Sequence, residues 1–267
     1  MTEKNNIFLN ITLLVCLLII TFLIVKNYKT DEALKLAYKP IETEEIKKVI
    51  PELRNIPVFV INMEDRKDRK EHMTNLLNAL GFTNYKFVVP VSKEVAAKHP
   101  GAENSKLTLA QKSNRLTYNK IFVDNQENTQ YDKFIIMEDD IDIYNNKIKM
   151  GDVYNSAKNV NWDLLYFEFC FARCYEFEKI TDSLYKIPHV LCTGCTMFTR
   201  DGAMKLITNF NDRLNSPTDH YFADLSTAGK INSYGYPLFR QNPKFGSDLE
   251  GSFKNKFHNI YAPVCLF

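Results

Sequence analysis

No charged residue interrupts the chain from Ile7 to Val25, and beyond that run short apolar stretches alternate with amphipathic ones. As a helix, the first run spans roughly 28 Å, close to the hydrocarbon thickness of a bilayer. A membrane-spanning helix is therefore expected over residues 7–25, behind a short tail of residues 1–6. Lys26-Asn27-Tyr28 offers no small-residue cleavage pattern, so the anchor is expected to be retained. Residues 26–55 are charged and weakly periodic, with Glu42, Glu44, Glu45, Lys47 and Lys48 ahead of Pro51, as in a stalk. The folded domain is expected over residues 56–267.

Within that domain, Pro57 to Asn62 reads as a buried strand. Met73, Leu76, Leu77 and Leu80 fall on one helical face that ends at Gly81, a natural C-cap. Tyr85 to Val91 reads as a second strand, which completes a unit long enough for a right-handed parallel crossover. Thr108 and Gln111 have capping-box spacing for a helix running to about Asp124. Phe134 to Met137 is an unbroken apolar run, the pattern of a strand covered on both faces. Trp162 to Phe169 and Val190 to Thr199 are further strands, and Asp201 to Phe210 is a helix carrying Ala203, Leu206 and Ile207 inward. Alternation of this kind predicts an α/β fold around a mostly parallel central sheet.

The 267 residues are 45% hydrophobic and 13% aromatic, enough for one sizeable core. The net charge of +2 is built from interspersed residues without a basic stripe, which argues against nucleic acid as a partner. Lys26, Lys29, Lys35 and Lys39 follow the apolar run while only Lys4 precedes it, so the positive-inside rule leans towards a cytoplasmic domain. The only Asn-x-Thr acceptor, at Asn10, lies inside the run, and luminal against cytoplasmic placement stays open.

Candidate chemistry centres on Met137-Glu138-Asp139-Asp140, where an apolar strand runs straight into three carboxylates. Sheets of this class bind ligands beyond the carboxyl ends of their strands. Extended geometry puts Glu138 and Asp140 on one face, and such crowding is unfavourable without a compensating cation. Oxygen ligands point to Mg²⁺ or Mn²⁺, which commonly hold substrate phosphates. Arg66 and Arg69, one helical turn apart after the first strand, could clamp a diphosphate or serve as a solvated ion-paired face. Cys170, Cys174, Cys192 and Cys195 could be thiols, disulfides or zinc ligands. Asp219 suits a general base or a helix cap, and Asp163 beside Trp162 reads as a strand-entry residue. Asp248 lies in a Gly- and Ser-containing stretch that reads as a loop.

Taken in order, several stretches resemble glycosyltransferase family 25, which includes lipopolysaccharide and procollagen galactosyltransferases. They are Val58-Phe59-Val60-Ile61-Asn62 with Arg66 and Arg69, then Glu138-Asp139-Asp140, then Trp162-Asp163. Gly194 through Gly202-Ala203, Pro217-Thr218-Asp219, and Gln241 with Ser247-Asp248 follow in register. The resemblance covers about Pro57 to Ser252. It implies a GT-A type Rossmann-like domain and inverting transfer of a hexose, galactose or glucose, from a UDP-sugar to a glycan or protein hydroxyl. It further implies Mn²⁺ or Mg²⁺ on Glu138 and Asp140, Asp219 as the base, and donor contacts from Asn62, Arg66, Arg69, Asp139 and Asp248. The chain departs from the family at Gln111, where a glutamate is usual, and at Thr117-Tyr118, where Ser-His is usual. A catalytically silent, membrane-anchored protein that keeps the core for binding is the rival expectation.

Overall fold

The computed structural model describes residues 51–127, 131–144, 148–210, 214–242 and 244–245. All of these belong to one compact unit. The tail 1–6, the apolar run 7–25, most of the linker and Asp248 lie outside them. Among the described residues no helix is long and apolar enough to cross a membrane.

A short helix α1 (Pro51–Arg54) leads into β1 (Val58–Ile61). Leu53 is fully buried, so the folded body already includes residues assigned above to the stalk. Helix α2 (Lys67–Leu80) buries Met73, Leu76, Leu77 and Leu80 and ends at Gly81, whose φ of 82° only a residue without a Cβ adopts readily. The chain continues through β2 (Tyr85–Val88), α3 (Lys93–Lys98) and α4 (Leu109–Glu127). The Thr108 and Gln111 side chains accept from each other's backbone N–H groups at 3.2 and 3.0 Å, the capping box that starts α4.

β3 (Lys133–Glu138), β4 (Ile141–Ile143), α5 (Met150–Ala157) and β5 (Leu164–Tyr166) come next. A hairpin of β6 (Glu178–Thr181) and β7 (Leu184–Lys186) precedes β8 (Cys195–Thr199). Helices α6 (Arg200–Asn209) and α7 (Thr218–Thr227) then lead to β9 (Ser233–Gly235) and β10 (Phe239–Gln241).

Eight strands form the central sheet in the order β2-β1-β3-β8-β5-β9-β7-β6, and β10 pairs separately with β4. β1, β2, β3, β5, β6 and β9 point one way, so the sheet is mostly parallel in direction. β7 and β8 run against the rest. Apolar residues on both faces explain the unbroken runs. Val58, Val60, Ile135 and Met137 pack towards α2 and α5. Phe59, Ile61, Phe134 and Ile136 pack with Tyr118 and Phe122 of α4 and Phe222 of α7 on the opposite face.

Candidate active site

β1, β2 and β3 end at one edge of the sheet, and a cleft of about 570 Å³ opens there. That size suits a drug- or nucleotide-sized ligand. Ile61, Arg69, Val91, Asn114, Gln241 and the Glu138–Asp140 run are among its lining residues.

β3 stops at Glu138, so strand alternation does not extend to its two neighbours, which lie in the turn before β4. Asp139 has both oxygens engaged within the protein: Oδ1 pairs with Arg69 Nη1 at 2.6 Å and Oδ2 accepts from Asn62 Nδ2 at 2.7 Å. Asp140 Oδ2 lies 3.5 Å from the same guanidinium nitrogen. Three residues expected on the donor, Asn62, Arg69 and Asp139, are thus brought together chiefly onto one another, fixing the turn. Arg66 pairs with Asp68 at 3.1 Å, and both Arg66 and Arg69 donate to the Phe245 carbonyl. The chain past β10 thereby returns over the two arginines, and the Asn242 N–H donates to the Asp140 carbonyl at 2.6 Å.

Glu138 shares the sheet face of Phe134 and Ile136, which places it under α4 and α7. Its carboxyl is pushed up to about 8, by burial first and by Asp140 next, with Asp219 and Asp139 adding to the shift. The Thr193 hydroxyl, donating at 3.2 Å, opposes it. Glu168 follows β5 on the same face and is completely buried. Burial first, then Glu138, Asp140 and Asp219, hold its carboxyl well above the usual range, while the Gly194 N–H works against them. Asp219 opens α7, accepting from the Cys192 N–H at 3.2 Å and from the His220 N–H at 2.8 Å. Glu138 and Glu168 thus both feel the charges of Asp140 and Asp219 at the carboxyl ends of the strands.

No protein-family model and no curated protein matches this chain. Among solved structures, A197 from STIV is 11% identical with a TM-score of 0.42, covering 70% of this chain and 83% of that one. Mouse xyloside xylosyltransferase 1 in its apo form is 9% identical with a TM-score of 0.36, covering 68% and 71%. HddC from Yersinia pseudotuberculosis is 10% identical with a TM-score of 0.31, covering 70% and 72%. At such scores none of these likenesses bears on what the site does.

The cysteines resolve differently from a zinc site. Cys170 and Cys192 are disulfide-bonded, Cys174 is also disulfide-bonded, and Cys195 is a buried free thiol. Asp163 is structural, as expected of a strand-entry residue: it receives Lys205 Nζ at 2.7 and 2.8 Å and the Asn232 N–H at 2.8 Å. Gln111 caps α4, and the Thr117 hydroxyl receives the Val91 N–H at 2.9 Å. Tyr118 donates its hydroxyl to the Thr193 carbonyl at 3.1 Å. Glu168 escaped the sequence reading. The available signal was a lone acid inside the apolar run Leu164 to Cys170, since a carboxylate is almost never fully buried without a reason.

Proposed function

We propose that this chain is a metal-dependent inverting glycosyltransferase, akin to family 25, that moves a hexose from a UDP-sugar to a glycan or protein hydroxyl. The observation that supports this most directly is the meeting of Glu138, Asp140 and Asp219 at the open end of the sheet, with the first two lining a nucleotide-sized cleft. The motif resemblance supplies the reaction class.

Among the described residues no three His, Cys, Asp or Glu side chains form a metal-holding group by themselves. The donor set nevertheless fits a hard divalent ion, because Mg²⁺ sites are commonly one or two carboxylates completed by substrate phosphates and water. Glu138 and Asp140 are the residues that would hold it. When bound, Mn²⁺ or Mg²⁺ supplies positive charge to the diphosphate leaving group.

The chain's own residues do the rest. Asp219, at a helix start and hydrogen-bonded through both oxygens to backbone N–H groups, is held in one orientation, so it can take the acceptor's proton as the hydroxyl attacks. The Asn62–Arg69–Asp139 group keeps the carboxylate turn rigid beside the donor. Residues 7–25 would anchor the domain to a membrane.

The test is donor hydrolysis by the full chain in detergent, with Mn²⁺ and a panel of UDP-sugars. UDP release that stops with chelator and falls at least about 100-fold in Asp140→Asn is expected, the scale of a lost transition-state contact. Absence of UDP release with every donor would sink the enzyme reading and favour the silent binding protein. That rival draws on Gln111 and Tyr118 being structural here. Sugar 1-phosphate in place of UDP would indicate nucleotidyl transfer.

A further inference from the structure

Three consecutive residues each donate one hydrogen bond to a different carboxylate of the site. The Cys192 N–H goes to Asp219 Oδ2 at 3.2 Å, the Thr193 hydroxyl to Glu138 Oε1 at 3.2 Å, and the Gly194 N–H to Glu168 Oε2 at 2.8 Å. These carboxylates come from α7, from β3 and from the segment just past β5, elements far apart in sequence. Crowded acids repel one another, so each one that stays needs a donor, and donors fixed in place cost no reorganisation when charge develops.

The segment is itself tied down on several sides. Its Gly194 carbonyl accepts from the Glu138 N–H at 2.8 Å, and its Thr193 carbonyl accepts from Tyr118. The disulfide joins Cys192 to Cys170, two residues beyond Glu168, and the backbones of Cys170 and Leu191 exchange hydrogen bonds at 2.8 and 3.0 Å. Cys192 has φ of +62° and Phe171, next to its disulfide partner, has +43°. Left-handed conformations of residues with side chains persist only where the surroundings impose them. A Cβ at Gly194 would meet Ile141 Cγ2 at 2.7 Å and Glu168 Oε2 at 2.9 Å, so a larger residue would have to push the Ile141 and Glu168 side chains aside.

We infer that Cys192–Thr193–Gly194, pinned by the Cys170–Cys192 disulfide, is the positioning segment of the site, and that Thr193 is the positioning residue that aims Glu138. The inference rests on the transferase reading for its kinetic readout but not for its structural one. Removing the hydroxyl lets Glu138 swing; removing the disulfide releases the amides that hold Asp219 and Glu168.

The experiment uses the full chain in detergent. Thr193→Val is expected to lower kcat for UDP release about tenfold or more, the effect of one lost hydrogen bond to a charged group, and Thr193→Ser to restore it to within about twofold. A Cys170→Ser/Cys192→Ser pair is expected to speed amide hydrogen exchange in peptides covering residues 190–195 by at least about tenfold while other sheet peptides keep their protection. Equal kcat in wild type, Thr193→Val and Thr193→Ser, or unchanged exchange in the cysteine pair, would overturn the inference. So would Thr193→Ser being as impaired as Thr193→Val. Wild-type protein that releases no UDP but shows the faster exchange in the pair would overturn the transferase reading and leave the scaffold standing.

Discussion

Glu138 carries the clearest titration consequence. Its carboxyl sits near 4.5 when unfolded and is pushed up to about 8 in the folded chain, by burial first and Asp140 second. Between these values the folded state keeps a proton that the unfolded state has shed. Stability from this group is therefore complete below about 4.5 and is lost as pH rises through about 8, with a slope of at most about 1.4 kcal/mol per unit. In chelator, the melting temperature is expected to fall from about pH 5 to about pH 8, and Glu138→Gln should lessen that fall without abolishing it, because the Glu168 carboxyl is also held up by burial. A melting temperature that rises across this window in wild type would contradict the assignment. Divalent cation binds the ionised carboxylate, so adding Mn²⁺ should stabilise more at the upper end of the window than at the lower.

Elements whose identity depends on neighbours in sequence were legible, and those that depend on distant partners were not. Helix α2 announces itself because four apolar side chains one turn apart must share a face, and Gly81 supplies the left-handed cap. The α4 capping box is equally local, being closed by Thr108 and Gln111 alone. β8 reads as a strand, but nothing in Cys195–Thr199 says that it lies antiparallel between β3 and β5. The β6–β7 hairpin at the sheet edge was missed, since Glu178–Thr181 is largely polar and only Ile180 packs against the core. Among the site residues, Glu138 and Asp140 stood out as a cluster, whereas Glu168 reaches it through the fold alone. Gln111 then gives an element-scale test of the departure from family 25. Gln111→Ala should lower stability by about 1 kcal/mol in urea titration and leave kcat for UDP release unaltered, because the side chain ends at the Thr108 N–H. A large loss of kcat without loss of stability would instead place Gln111 in catalysis.

At the scale of the molecule, two observations pull against each other. Lysines 26, 29, 35 and 39 after the apolar run favour a cytoplasmic domain by the positive-inside rule. The Cys170–Cys192 disulfide, together with a disulfide-bonded Cys174, favours an oxidising compartment, because reducing cytosol keeps thiols free. The charge rule is a bias that sequence context can override, whereas a Cys170–Cys192 disulfide forms and persists only where an oxidant is present. The domain is therefore expected on the oxidising side of the membrane. Added protease should leave it intact in sealed vesicles and digest it once detergent opens them. Blocking free thiols before reduction should leave Cys170, Cys174 and Cys192 unlabelled, with Cys195 reacting only after denaturation because it is buried. Digestion in sealed vesicles, with all of these cysteines alkylated without reductant, would show that the carboxylates are held together in the cell without a covalent brace.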